Sequence, residues 1–183
     1  DASFEGDVLK SSTPVLVDGI DLARQCPTIA GWVIRAKLAG AKIIVTGPRK
    51  HRLVANADFF LQYRPRSAVC LYGAMAKVIV DRGLMDLKFI KARCADYEAF
   101  LDRVQGYDVL WAAERCGIKP ELIEEAAIAF AKARPAVILY SSGAEARGVE
   151  PIQAMVDLAL LTGNVGKEGA GIMPLAEHNN LQG

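Results

Sequence analysis

Four short apolar runs constrain the fold most: PVLVDG at 14–19, AKIIVTG at 41–47, ADFFLQY at 57–63 and AVILYSSG at 136–143. Each is rich in β-branched or aromatic residues and most are bounded by turn formers. They are read as strands buried on both faces. Helical patterns lie between them. PTIAGWVIRAKLAG (27–40) puts Ile29, Trp32, Val33 and Ala36 on one face, with Pro27 in the first turn and Gly40 beyond the last. A basic turn and a short helical piece separate the second and third strands. Further helices are expected over 67–83, over 87–117 with a break near Gln105–Gly106, over 119–134 and over 151–163. In the helix over 119–134, Leu122, Ile123, Ala126, Ala127 and Phe130 form the buried stripe.

Strands joined by helical crossovers give an α/β fold, a doubly wound, mostly parallel sheet of Rossmann-like topology with helices on both faces. Residues 1–163 form that module. Residues 164–183 are read as an irregular, extended Gly-rich tail leading to the remainder of a longer chain. At 52% hydrophobic residues the chain can bury a core, and nothing in its composition favours disorder. The formal net charge of +1, with signs mixed along the chain, argues against a nucleic-acid partner. No apolar stretch approaches the ~20 residues of a bilayer span, so no transmembrane segment is expected. Cys26, Cys70, Cys94 and Cys116 share no metal-type spacing. Scattered cysteines and no visible leader suit a reducing compartment, read as the cytoplasm.

The stretch LTGNVGKEGAG (161–171) imitates a phosphate-binding loop. Such loops follow a strand and open a helix. This one follows a helix and opens none, and no Ser or Thr follows Lys167. Gly163 is therefore expected as the residue just past a helix end, and the rest as a connector.

In an open parallel sheet the ligand sits at the carboxyl ends of the strands, where the strand order reverses. With the order 3-2-1-4, the loops there are 18–21, 46–52 and 141–148. Gly19, Gly47 and Gly143 allow tight turns there. The first loop lacks G-x-G-x-x-G and carries Asp18 and Asp21, which argues against an ordinary dinucleotide site. The two acids are read as turn and helix-capping residues. Arg49, Lys50, His51 and Arg52 form a basic turn that is either an anion contact or a solvated surface.

LALLTGNVGKEGAGIMPL followed by NNLQG resembles the molybdopterin oxidoreductase family, in the branch holding formate dehydrogenase catalytic subunits. RAKLAGAKIIVTGPRK, ANADFFLQYRP, AMAKVIVDRGLMDLKFIKARC and EEAAIAFAKARPAVILYSSG follow that family's order along almost the whole chain. The resemblance implies the large-subunit domain that holds one guanine dinucleotide of a bis-molybdopterin guanine dinucleotide cofactor with molybdenum or tungsten. It marks Gly19, Asp21, Pro48, Arg49, Gly143 and His178 as cofactor-binding candidates. It implies no catalytic residue or metal ligand within this segment, the metal-ligating Cys or selenocysteine lying upstream. The implied partners are the remainder of the large subunit and iron–sulfur electron-transfer subunits.

Several positions depart from the family pattern. Gly-x-Asn-Pro appears as Gly19-Ile20-Asp21-Leu22, Asp-Pro-Arg as Gly47-Pro48-Arg49, and Gly-Thr-Asp as Arg66-Ser67-Ala68. In the tail, Met173-Pro174 replaces Asn-Pro, Ala176 stands where formate-type members hold the substrate carboxylate with arginine, and His178 replaces a glutamine. Alone, His178 reads as a surface or hydrogen-bonded residue or as a proton carrier. Glu145 and Arg147 occupy metal-facing positions with types that do not match, so no role passes to them. These losses keep two alternatives open. One is a structural or docking module that kept the fold without the cofactor, as in the large peripheral subunit of complex I-like NADH–quinone oxidoreductases. The other is an α/β domain binding a small ligand at the basic turn.

Overall fold

The computed structural model describes residues 14–141 and 148–175. Its centre is a five-stranded, all-parallel sheet in the order β3-β2-β1-β4-β5. The strands are β1 (Val15–Asp18), β2 (Ile43–Gly47), β3 (Phe59–Gln62), β4 (Val137–Ser141) and β5 (Gly171–Leu175). Alternation along the strands divides the core in two. Leu16, Ile44, Leu61 and Ile138 face one side, while Val15, Val17, Ile43, Val45, Val137 and Leu139 face the other.

Helices α1 (Leu22–Gln25) and α2 (Pro27–Leu38) cover the second side through Leu22, Val33 and Ala36. The first side carries α3 (Ala68–Asp81), α4 (Leu87–Arg93), α5 (Tyr97–Gln105), α6 (Val109–Cys116), α7 (Pro120–Lys132) and α8 (Glu150–Leu161). The doubly wound fold is therefore as expected, with most of its helices on one face. The stretch 87–117 breaks twice rather than once. Besides Gln105–Gly106 it opens at Cys94–Asp96, where Asp96 has φ of +54°. Asp86 and Asp108 cap α4 and α6 by accepting from the amides of Phe89 and Trp111.

The Gly-rich segment is the main departure from the sequence reading. Gly163, at φ +67°, does end α8 in the left-handed region. Residues 164–175 are anchored rather than loose. Asn164 is buried; its side-chain oxygen accepts from Ala136 N–H at 2.9 Å and its amide donates to Thr162 Oγ1 at 2.7 Å. Lys167 Nζ lies 3.3 Å from Asp86 Oδ2 and 5.4 Å from the centre of the Phe89 ring. Arg134 Nη1 reaches the same carboxylate oxygen at 3.3 Å. Residues 171–175 then join the sheet, where β5 pairs with β4 from Val137↔Gly171 to Ser141↔Leu175. Met173, read as a replaced tail residue, packs against the thinner half of the core.

Candidate functional site

The ends of β1 and β2 meet at one rim of the sheet. Gly19 is exposed at φ +66°. Its amide donates to Thr46 O at 2.9 Å and its carbonyl accepts from Ser141 Oγ at 3.3 Å. The turn after β1 is thus held to the strands on either side. A Cβ on Gly47 would stand 3.4 Å from the backbone of Gly19, so the two loops abut. Pro48 O accepts from Gln62 Nε2 at 3.2 Å, while Arg49 and Lys50 point into solvent.

Of the expected site residues, Gly19, Asp21, Pro48 and Arg49 fall on these two neighbouring loops. Gly143 and His178 lie outside the described residues, as do Glu145, Arg147 and Ala176. Among the described residues no group of three His, Cys, Asp or Glu side chains could hold a metal ion.

Asp18 is not a turn residue. It ends β1 fully buried, and its Oδ1 accepts from Tyr63 OH at 2.8 Å and from Thr46 Oγ1 at 3.0 Å. Tyr72 OH, 2.7 Å from Thr46 Oγ1, is left to donate to that hydroxyl. Burial, then the Asp18 carboxylate, push the Tyr72 phenol well above its ordinary range, so it stays protonated as a donor. The network pins the ends of β1 and β2 from beneath with hydrogen bonds that all run toward one carboxylate.

Above this floor three buried polar atoms, Asp21 Oδ1 and both ring nitrogens of His51, have no partner among the described residues. Asp21 stands at the cap position of α1 without making the capping bond expected of it. His51 belongs to the basic run in sequence but not in space, because Arg49, Lys50 and Arg52 are exposed while it is half-buried. Burial lowers its pKa and the nearby Asp21 charge raises it in part. The net downward shift leaves the imidazole neutral at pH 7, with one donor and one acceptor nitrogen. The sequence put His51 with the basic turn and did not show its partial burial, at which only its place two residues before the buried Leu53 hinted.

Arg66 sits at φ +71°, a conformation that favours glycine. It follows β3, where the resemblance places the glycine of Gly-Thr-Asp. The backbone has kept the shape that the side chain opposes. Arg66→Gly is expected to raise stability by about 0.5–1 kcal/mol, the relief of left-handed strain less the entropy of glycine. A higher urea midpoint at unchanged slope is the expected result, and a lower midpoint would contradict it.

A wide cleft of about 430 Å³ opens between α3, α5 and α8, lined by Tyr72, Gly73, Val104, Tyr107 and Gln153 among others. Its wall includes Gly73 in the middle of α3, where an added Cβ would fall 2.4 Å from the Tyr107 ring.

No family model matches the sequence. The chain is 40% identical over 171 residues to the F420-dependent formate dehydrogenase subunit alpha of Methanocaldococcus jannaschii, covering 92% of this chain and 25% of that protein. It is 37% identical over 171 residues to formate dehydrogenase H of Escherichia coli, covering 92% and 24%. Among solved structures, acetylene hydratase from Pelobacter acetylenicus superposes with a TM-score of 0.82 at 27% identity, over 88% of this chain and 23% of that one. The chain spans about a quarter of the length of the curated relatives it matches. Formate dehydrogenase alpha subunits align along nine-tenths of its length, and the chain belongs to the molybdopterin oxidoreductases.

Proposed function

We propose that residues 1–183 are the guanine-dinucleotide-holding part of a formate dehydrogenase-like large subunit, with the reaction centre supplied by other parts of that subunit. The cofactor, when bound, supplies the redox chemistry through its molybdenum or tungsten. The residues of this segment bind and orient. The exposed backbone of Gly19 and the Pro48–Arg49 turn suit the approach of a nucleotide, and Asp21 offers an acceptor for base N–H groups. Gly143 and His178 are the remaining candidates. Iron–sulfur subunits are the partners this reading implies, and four unpaired cysteines suit a cytoplasmic protein.

The observation that carries this reading is Arg66. The turn after β3 holds Arg66 in the left-handed region, although that residue is poorly suited to it, where the resemblance expects a glycine. The second reading, a docking module without cofactor, draws on the altered contacts at Asp21, Gly47 and Ala68. Elemental analysis and pterin fluorescence of the full-length protein separate the two. Molybdenum or tungsten near one per polypeptide, with guanine nucleotide released on acid treatment, is the expected outcome. A protein with neither metal nor pterin would leave the docking module as the function.

A further inference from the structure

The side of the sheet that carries six helices still has a hollow that no described residue fills, the cleft of about 430 Å³ between α3, α5 and α8. Val69, Gly73 and Ala76 line its α3 wall at helical spacing. Glycine is disfavoured in a helix interior, and here it makes room for the Tyr107 ring, which lies where a side chain would be. The apolar surface runs on from Tyr107 to Trp111; the two rings meet edge-on at 6.3 Å, and Arg115 covers Trp111 at 5.1 Å. Trp111 is 38% exposed and its neighbour Leu110 is 68% exposed. Tyr, Trp and Arg are the side chains that carry most of the energy of protein interfaces. The α8 wall is acidic, with Glu150, Gln153 and Asp157 on one face of that helix. Arg103 of α5 reaches the Asp157 carboxylate only at 3.9 Å, and its guanidinium also lies 5.6 Å from the centre of the Phe100 ring. Burial raises the Asp157 carboxyl above its usual range, and Arg103 offsets this only in part. The cleft thus offers an aromatic wall beside a half-buried carboxylate that is short of a cation.

We propose that this cleft seats a segment from another part of the same large subunit, which lays an apolar side chain along Gly73 and Tyr107 and sets a Lys or Arg beside Asp157 and Glu150. The proposal rests on the reading of residues 1–183 as part of a longer subunit, and it holds whether or not a cofactor binds. Length favours an occupant from the same chain. The curated relatives are about four times as long as the part of them that this chain matches. The rest of such a subunit is tethered to the cleft and reaches it at an effective concentration of about millimolar. A separate subunit or a second copy has to compete with that. A mixture of polar and apolar surface is also what contacts between domains of one chain show. The incoming cation supplies the charge that Asp157 lacks, and the apolar side chain takes the half-buried Tyr107 ring further out of water.

The test uses the full-length large subunit, purified alone, with photoreactive benzoylphenylalanine in place of the exposed Gln153. Irradiating a mixture of heavy- and light-isotope protein separates cross-links within one chain from those between copies. The expected result is an intrachain cross-link to a peptide outside residues 1–183 that contains Lys or Arg. Cross-links confined to residues 1–183, cross-links between copies, or none at all overturn the proposal. So does a cleft that becomes protected only when a second subunit is added. Asp157→Arg is expected to speed amide exchange in the cross-linked peptide about tenfold, and changing that peptide's Lys or Arg to Glu is expected to restore protection. Asp157→Asn, which removes the charge at equal size, is the second variant and is expected to act in the same direction. Exchange that is unchanged in both variants, or that the charge swap does not restore, overturns the proposal. The cofactor reading fails separately. A protein without metal or pterin that gives the intrachain cross-link loses that reading and keeps this one, and a metal-loaded protein without the cross-link does the reverse.

Discussion

Asn164→Ala is expected to cost about 2–4 kcal/mol of stability, the largest loss among the alanine substitutions considered. Its side chain is 1% exposed and bonds in two directions. The oxygen accepts from Ala136 N–H at the threshold of β4, and the amide donates to Thr162 Oγ1 at the end of α8. Alanine would leave a buried backbone donor unpaired and a small void beside it. Aspartate would keep the acceptor but lose the donor and bury a charge, so Asn164→Asp should cost at least as much as alanine at pH 7. Urea unfolding of the three proteins checks the order. Equal stability of Asn164→Ala and wild type would show that water replaces the amide.

Gly163→Ala comes next, at about 2–3 kcal/mol, from two causes that add. The position lies at φ +67°, where an L residue pays about 1–2 kcal/mol. Its Cβ would also stand 2.5 Å from Asp86 Oδ2, an oxygen already held by Lys167 and Arg134. The carboxylate cannot retreat without loosening those ion pairs. Asp86→Ala in the same background removes the obstacle, so the penalty of Gly163→Ala should shrink toward the backbone strain alone. A penalty that is identical in both backgrounds would mean that strain accounts for all of it.

Much of the sheet was legible because strands covered on both faces are written as continuous apolar runs. VLVD, IIVTG and VILYS can scarcely be anything else between amphipathic helices. β5 was not, since GIMPL carries glycine and proline and becomes a strand only by lying along β4. The break at Cys94–Asp96 was hidden for the opposite reason, an apolar pattern that continues across it. At the rim, glycines and the basic turn could be placed from the strand order alone. The state of their neighbours could not. An aspartate before glycine reads as a turn, and only Tyr63 just past β3 and Thr46 of β2, itself bonded to Tyr72 of α3, make Asp18 a buried acceptor. His51 likewise takes its burial from a cluster assembled across the chain, so its three basic neighbours gave a misleading context.

The strand order also sets a timetable. β1 is the middle of the sheet, hydrogen-bonded to β2 on one side and to β4 on the other. During synthesis β2 and β3 emerge soon after it, but residues 137–141 come only after five further helices have left the ribosome. Until then β1 presents an open, apolar edge, and the rim where Gly19 is held to Ser141 does not exist. Within this segment, the strand that shapes the candidate site is made before β2 and β3 yet completed only when β4 arrives.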